Sequence, residues 1–239
     1  MAPVSVIAPL ANQSGVSRAI TLGRSMSVKD VELADGSEAL AVDGTPVDCV
    51  RFATLGLLDE TPDVVLSGIN LGVNAGDDVG YSGTVGAALE GLMHGWSAIS
   101  VSQFLGGKWN DQMDTRVDFT TLAEFAAALV PQLGTEQVPP GTMLNVNGPR
   151  VPLKGAKVVP LGARWYDDNL EFVKADDDGR HYWIYGSSPL HKSAAGTDLV
   201  ALDEGYITVT PLRYELTDKG SLSELQDHGL PPIELPEVT

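Results

Sequence analysis

Apolar residues along this chain fall in short runs separated by polar, glycine-rich joints. Val4–Pro9, Asp63–Leu66, Ala98–Ser102 and Met143–Asn147 are runs without strict alternation, the pattern of strands buried on both faces of a parallel sheet. Between them the period becomes helical. Gly44-Thr45-Pro46-Val47-Asp48 opens a helix predicted to reach about Leu58, with Thr45 as cap, Pro46 at the favoured first position and Asp48 in the first turn. A second helix follows Ser82-Gly83-Thr84 and carries apolar residues at 85, 88, 89, 92 and 93. A third spans Phe119 to Leu133, with Leu122, Phe125, Ala126 and Leu129 on one face, and Pro139-Pro140-Gly141 breaks it. This succession predicts a doubly wound α/β core up to about residue 150.

The remaining segments are less regular. Within residues 18–43, Ile20–Leu22 and Glu38–Val42 are predicted as short strands in an otherwise extended stretch. Residues 151–215 hold strand-like runs and no helical pattern. Asp176-Asp177-Asp178-Gly179 before Tyr182–Gly186 predicts a hairpin, and its acidic residues fit a solvated turn better than a cation site. Gly205–Leu212 is a clean strand. The acidic, proline-rich tail after Leu216 is expected to be loosely held.

The joint between the second predicted strand and the second helix carries the most chemistry. The strand is expected to stop at Ser67-Gly68, and Ile69-Asn70-Leu71-Gly72-Val73-Asn74 to form a thin loop offering two asparagine amides. Ser82 and Thr84 then bracket Gly83 at a helix start, where free N–H groups and the helix dipole favour an anion. Two readings stay open: an ordinary strand–loop–helix joint with capping residues, or a floor for a phosphate beside oxygens able to coordinate a ligand. Ser14 follows the Val4–Pro9 run, at the sheet edge where ligands of open α/β sheets sit, although a turn-forming Ser-Gly pair is the simpler account.

Charge narrows the function classes. Net charge is −17, from 32 acidic and 15 basic residues, and such a field repels nucleic acid backbones and anionic membranes. No run is long enough to span a membrane, and the start has neither a charged n-region nor a long apolar h-region. The single cysteine, Cys49, fits a reducing cytoplasm and is expected to be a buried structural thiol. His94, His181, His191 and His228 show no metal-ligand spacing. No Gly-x-Gly-x-x-Gly follows the first strand, which argues against a dinucleotide-binding oxidoreductase.

Ala8-Pro9 with Ser14-Gly15, Gly44–Val50, Ser67–Asn74 and Ser82–Gly91 together resemble the SurE family of survival-protein nucleotidases. Arg164-Trp165-Tyr166, Tyr182-Trp183 and Gly205–Pro211 are similar to that family too, so the likeness covers roughly residues 4–217. The resemblance implies a Rossmann-like three-layer α/β core over residues 1–150 and a β-rich C-terminal extension over residues 151–239. By the same resemblance, that extension is expected to exchange elements between subunits of a homodimer or homotetramer. The implied activity is phosphate release from nucleoside 5′- and 3′-monophosphates, and in some members from short polyphosphate, with a divalent cation, Mg²⁺ or Mn²⁺. Carried over residue by residue, Ser14 and Asn70 are metal ligands, and Asn74, Ser82, Gly83 and Thr84 lie on the phosphate side.

One departure stands out. The family opens with a strand ending in Asn-Asp-Asp-Gly and a helix, ahead of the strand that matches Val4–Pro9. Neither is in this sequence, and Asp77-Asp78 lies on another loop. The catalytic residues therefore stay unassigned, and the preferred expectation is a start placed too far downstream. The alternatives are a truncated chain or a non-catalytic binding or scaffold relative. By the resemblance the absent strand lies between Val4–Pro9 and Val64–Leu66, which are expected as interior strands of one parallel sheet.

Overall fold

A computed structural model describes residues 3–104, 119–149, 153–165, 168–186, 190–191 and 194–231. In chain order the elements are β1 (Ile7–Pro9), β2 (Val28–Glu32), β3 (Glu38–Val42), α1 (Pro46–Phe52), β4 (Val64–Leu71), α2 (Gly83–Met93), β5 (Ser97–Gln103), α3 (Thr120–Leu129) and β6 (Met143–Gly148). They continue with β7 (Gly155–Val158), β8 (Arg164–Trp165), β9 (Asp168–Asp176), β10 (Gly179–Gly186), β11 (Leu190–His191), α4 (Asp198–Asp203), β12 (Tyr206–Leu212) and α5 (Lys219–His228).

The core is a five-stranded sheet in the order β4-β5-β6-β12-β7. β4, β5 and β6 run parallel, and β12 lies antiparallel to β6. Because side chains alternate along a strand, each face has its own partner. Ile99, Val101, Leu144, Val146, Ile207 and Val209 pack with Leu122 and Ala126 of α3. Ala98 and Met143 pack with Val85 and Ala88 of α2. The result is the expected helix–sheet–helix layering. On the α2 face the apolar layer gives way, toward the carboxyl ends of the parallel strands, to buried Ser100, Ser102, Asn145, Asn147, Thr208 and Thr210. The expected boundary near residue 150 does not divide the sheet, since β7 and β12 complete it.

Several expectations need correction. β1 and β4 do not share a sheet among the described residues. Among them β1 pairs only with β3, in a separate sheet ordered β1-β3-β2, and β4 is an edge strand. β4 also runs past Ser67-Gly68 to Leu71, with its register slipping between Ser67 and Asn70. Gly68 permits this: at its φ of +133° a Cβ would strike the Val101 carbonyl oxygen on β5. No strand forms at Ile20–Leu22; the partner of β3 is β2, whose largely exposed Val-Lys-Asp-Val-Glu shows little apolar signal. α4 interrupts the stretch expected to be largely strand with no helix, its six residues too short for a helical period. The tail holds α5, whose cap Asp218 accepts hydrogen bonds from the N–H groups of Gly220 and Ser221. The side chains of Trp165 and Tyr185 lie outside what is described.

α1 shows how its sequence dictates its start. The Thr45 side chain accepts from the Asp48 N–H, and Asp48 accepts from the Thr45 N–H, a reciprocal capping box. Asp48 also accepts from the N–H and hydroxyl of Thr21, at 3.1 and 2.7 Å, tying the chain after β1 to α1. Burial pushes the Asp48 carboxyl up, but these hydrogen bonds outweigh it and hold it below the ordinary 3.8. A depressed folded value means the contribution is complete above that ordinary value and is lost as pH falls through the folded one. Chemical denaturation from pH 3 to 7 should therefore show an acid-sensitive component that Asp48→Asn lacks, with the variant about 1–3 kcal/mol less stable at neutral pH.

The helix then loosens into a wide turn over Ala53–Leu57, where Gly56 takes a φ of +97°. Cys49 is buried on α1, and burial, then the neighbouring Asp48, pushes its thiol up to about 12, so it is a packing residue.

Candidate phosphate-binding site

The loop after β1, the loop after β4 and the start of α2 meet at the carboxyl ends of the parallel strands, where open α/β sheets place ligands. Ser82 caps α2: it is buried and its hydroxyl oxygen accepts from the Val85 N–H at 3.1 Å. The first-turn N–H groups of a helix have no partner in its own ladder, so Gly83 and Thr84 offer donors at the positive end of α2. Gly83 is buried because a Cβ there would meet Pro46 Cγ and Val16 Cγ2, each at 3.1 Å.

That crowding brings in the loop carrying Ser14. Ser17 donates from its N–H to the Tyr81 carbonyl at 2.9 Å and from its hydroxyl to the Gly80 carbonyl at 2.7 Å. At Gly86 a Cβ would come within 2.8 Å of the Ser17 carbonyl oxygen. Arg18 then pairs with buried Glu90 of α2 at 3.1 Å and stacks 4.4 Å over the Tyr214 ring. Arg51 and His94 approach the other Glu90 oxygen, each at 3.4 Å. Glu90 thus joins α1, α2 and the Ser14 loop. Sequence reasoning passed over it, although an acidic residue between apolar Leu89 and Leu92 was the available signal. Ser14 itself is exposed and donates to Asn12 Oδ1 at 2.9 Å.

Asn70 ends β4. Its Nδ2 donates to the Gly72 carbonyl at 2.7 Å, and the Gly72 N–H is held by the Gln103 carbonyl, so Asn70 is fixed with its nitrogen engaged. Asn74 faces the sheet. Its Nδ2 donates to Ser102 Oγ at 2.7 Å, its N–H donates to Asn147 Oδ1, and its carbonyl accepts from Asn145 and Asn147. The structure thus gathers Ser14, Ser82, Gly83 and Thr84 around the start of α2 and seats Asn70 on the adjoining strand. It turns Asn74 into the polar layer beneath.

The expected divalent cation finds little here. Ser14 and Asn70 offer neutral oxygens, and no group of three or more His, Cys, Asp or Glu is gathered among the described residues. Hard cations take about 6–8 oxygens, carboxylates prominent among them, so the described residues do not by themselves make such a site. Asp176 is no substitute. Lys174 at 2.5 Å and His181 at 2.9 Å hold its carboxyl below the usual range, as a hairpin turn requires.

The family model described as Survival protein SurE matches residues 1–168. The chain belongs to the SurE family. The 5′-nucleotidase SurE of Rubrobacter xylanophilus is 45% identical over 230 residues, covering 93% of this chain and 86% of that protein. The 5′-nucleotidase SurE of Herpetosiphon aurantiacus is 43% identical over 219 residues, covering 90% and 83%. The crystal structure of the SurE protein from Aquifex aeolicus superposes with a TM-score of 0.72 at 34% identity, covering 93% of this chain and 87% of that one. The SurE fold is therefore shared across nearly the whole chain. Among the described residues no helix is long and apolar enough to cross a membrane.

Proposed function

We propose that this protein is a nucleotidase of the SurE type, binding the phosphate of a nucleoside 5′- or 3′-monophosphate at the start of α2 and releasing it as inorganic phosphate. Short polyphosphate fits the same anion site. The observation that carries the reading is the meeting of Ser82, Gly83 and Thr84 with the Ser14 loop, within a family whose relatives are named 5′-nucleotidases.

In this reading the N–H groups of Gly83 and Thr84 hold phosphoryl oxygens, and the α2 dipole favours their charge. Ser82 keeps the helix start in place, since its hydroxyl is committed to Val85. Ser14 and Asn70 are the neutral oxygen ligands of an Mg²⁺ or Mn²⁺ ion whose carboxylate ligands are the Asp-Asp pair that the family resemblance puts upstream. A second reading, a phosphate-binding SurE relative without turnover, is favoured by the absence of a carboxylate cluster among the described residues. Phosphate binding without release, in protein that carries the Asp-Asp pair, selects that second reading.

Thr84→Val separates anion from cation. In this reading the Thr84 hydroxyl donates to the phosphate beside the N–H, so its removal should weaken inorganic phosphate binding about 10- to 100-fold, the loss of one hydrogen bond to a charged group, with cation affinity unchanged. Titration calorimetry with each ion checks this, and lost cation affinity with phosphate binding intact would reverse the two roles. Ser82→Ala is less clean, because loss of the cap costs about 0.5–2 kcal/mol of stability.

The chain is further proposed to form a homodimer or homotetramer through the β9–β10 arm. Leu170, Phe172, Val173, Tyr182, Trp183 and Ile184 are all exposed on this two-stranded ribbon, and isolated ribbons of that kind are marginal in water. Light scattering should give a dimer or larger, and Trp183→Glu should shift it toward monomer. A monomer with the arm ordered would contradict the assignment.

A further inference from the structure

The segment joining Asn70 to α2 is gripped from below by three buried side chains contributed by β6 and α4. Asn147 grips Asn74 twice: Oδ1 accepts from its N–H at 2.8 Å, and Nδ2 donates to its carbonyl at 3.1 Å. Asn145 Nδ2 donates to the same carbonyl at 2.8 Å, while its Oδ1 accepts from the Ser100 hydroxyl. Two residues on, the Gly76 N–H donates to Asp198 Oδ2 at 2.8 Å. Asp198 is fully buried, and its other oxygen accepts from the N–H groups of Gly162 at 2.6 Å and Leu199 at 2.8 Å. Gly76 sits at a φ of +57°, and a Cβ there would come within 2.8 Å of the Gly162 carbonyl oxygen and 3.0 Å of Leu199. Ala75 between the two anchored residues is itself fully buried.

These contacts exceed what a surface connection needs. Loops ordinarily satisfy their backbone with water. Here the backbone of residues 74–76 is bonded to side chains from elements 71 to 122 residues away. The grip lies midway between Asn70 and Ser82, so it sets the distance and angle between β4's end and the α2 start.

We propose that Asp198, Asn145 and Asn147 are positioning residues, holding the 71–82 segment so that Asn70 on the cation side and the Gly83 and Thr84 N–H groups on the phosphate side keep a fixed spacing. The inference rests on the reading of α2 as the anion site, and it deepens that reading by making the C-terminal part of the chain responsible for the site's geometry. The arrangement is pre-organised: fixed donors lose less on binding than mobile ones. It also accounts for Ser100, Ser102, Asn145 and Asn147 in the polar layer on the α2 face of the sheet.

Asp198→Asn is the selective probe. Kept in its present orientation, an amide retains the oxygen that accepts from Gly162 and Leu199, and sets an NH₂ against the Gly76 N–H, where no hydrogen bond forms. In the protein of residues 1–239, the amide resonances of Gly83 and Thr84 and the Asn70 side-chain amide should move, while those of Gly162 and Leu199 stay. Inorganic phosphate should bind about tenfold more weakly. A core variant, Val209→Ala, should lower Tm and leave phosphate affinity alone, separating positioning from general loosening. If Asp198→Asn does not fold, Asn147→Ser releases Asn74 and should give the same pattern. The proposal is overturned if a folded variant binds phosphate as the parent does, or if its resonance changes stay confined to residues 74–76 and the mutated side chain. Should the parent bind no phosphate, the anion-site reading fails, and the resonances of Asn70, Gly83 and Thr84 alone decide whether the grip positions them.

Discussion

Asn70→Ala, made in protein that also carries an upstream strand ending in Asp-Asp, should lower divalent-cation affinity and phosphate release together, by roughly 100-fold each. The size follows from how little freedom Asn70 has. It closes β4 beside Ser102 of β5, and its nitrogen is committed to the Gly72 carbonyl, so the side chain is already fixed in orientation when a cation arrives. Truncation removes a pre-oriented oxygen, and the Gly72 carbonyl loses its donor. Binding calorimetry with Mn²⁺ and a phosphate-release assay at limiting metal read the two losses. Activity unchanged at limiting metal would remove Asn70 from the ligand set. A loss of phosphate affinity with cation binding intact would move it to the anion side.

The second large effect concerns the two open sheet edges. Among the described residues β4 has no partner on its outer side, and Leu66 and Leu71 on it are 52% and 51% exposed. β1 is three residues long and, among those residues, is paired only to β3. Leu10, Leu55 and Leu57 are also exposed nearby in sequence. Full burial of one such side chain contributes about 1.5–3 kcal/mol, against a typical net stability of about 5–15 kcal/mol. A strand pairing with both edges would cover several of them. Residues 1–239 should therefore be marginal and prone to associate through these edges. Protein with the family's strand and helix placed ahead of Met1 should melt about 10 °C or more higher. Calorimetric scans of the two proteins decide it; equal Tm values would mean that the edges are satisfied some other way.

Much of this fold was legible because burial leaves a mark on sequence. Ala98–Ser102 and Met143–Asn147 announced themselves as strands because β5 and β6 are covered on both faces. Thr45-Pro46 and Ser82-Gly83 announced helix starts because capping is local chemistry. β2 was hidden because an exposed strand carries no apolar pattern, and α4 because six residues span less than two turns. The site divided along the same line. Ser14, Asn70, Ser82, Gly83 and Thr84 stand out in short motifs. The turning of Asn74 onto Asn147, 73 residues away, and the role of Asp198, 122 residues from Gly76, depend on strand order, which no local pattern carries. Glu90 lay within a quoted motif, yet its ties to Arg18 and Arg51 needed the packing of α1 on α2.

The most direct test is a phosphate-release assay on a nucleoside 5′-monophosphate with saturating Mg²⁺ or Mn²⁺, run on residues 1–239 and on protein extended by the Asp-Asp strand and its helix. The account predicts no release from the first and metal-dependent release from the second, because no group of three or more His, Cys, Asp or Glu is gathered among the described residues to hold a hard cation. Robust metal-dependent release from residues 1–239 alone would contradict it. So would an extended protein that is folded, binds the metal and still hydrolyses nothing.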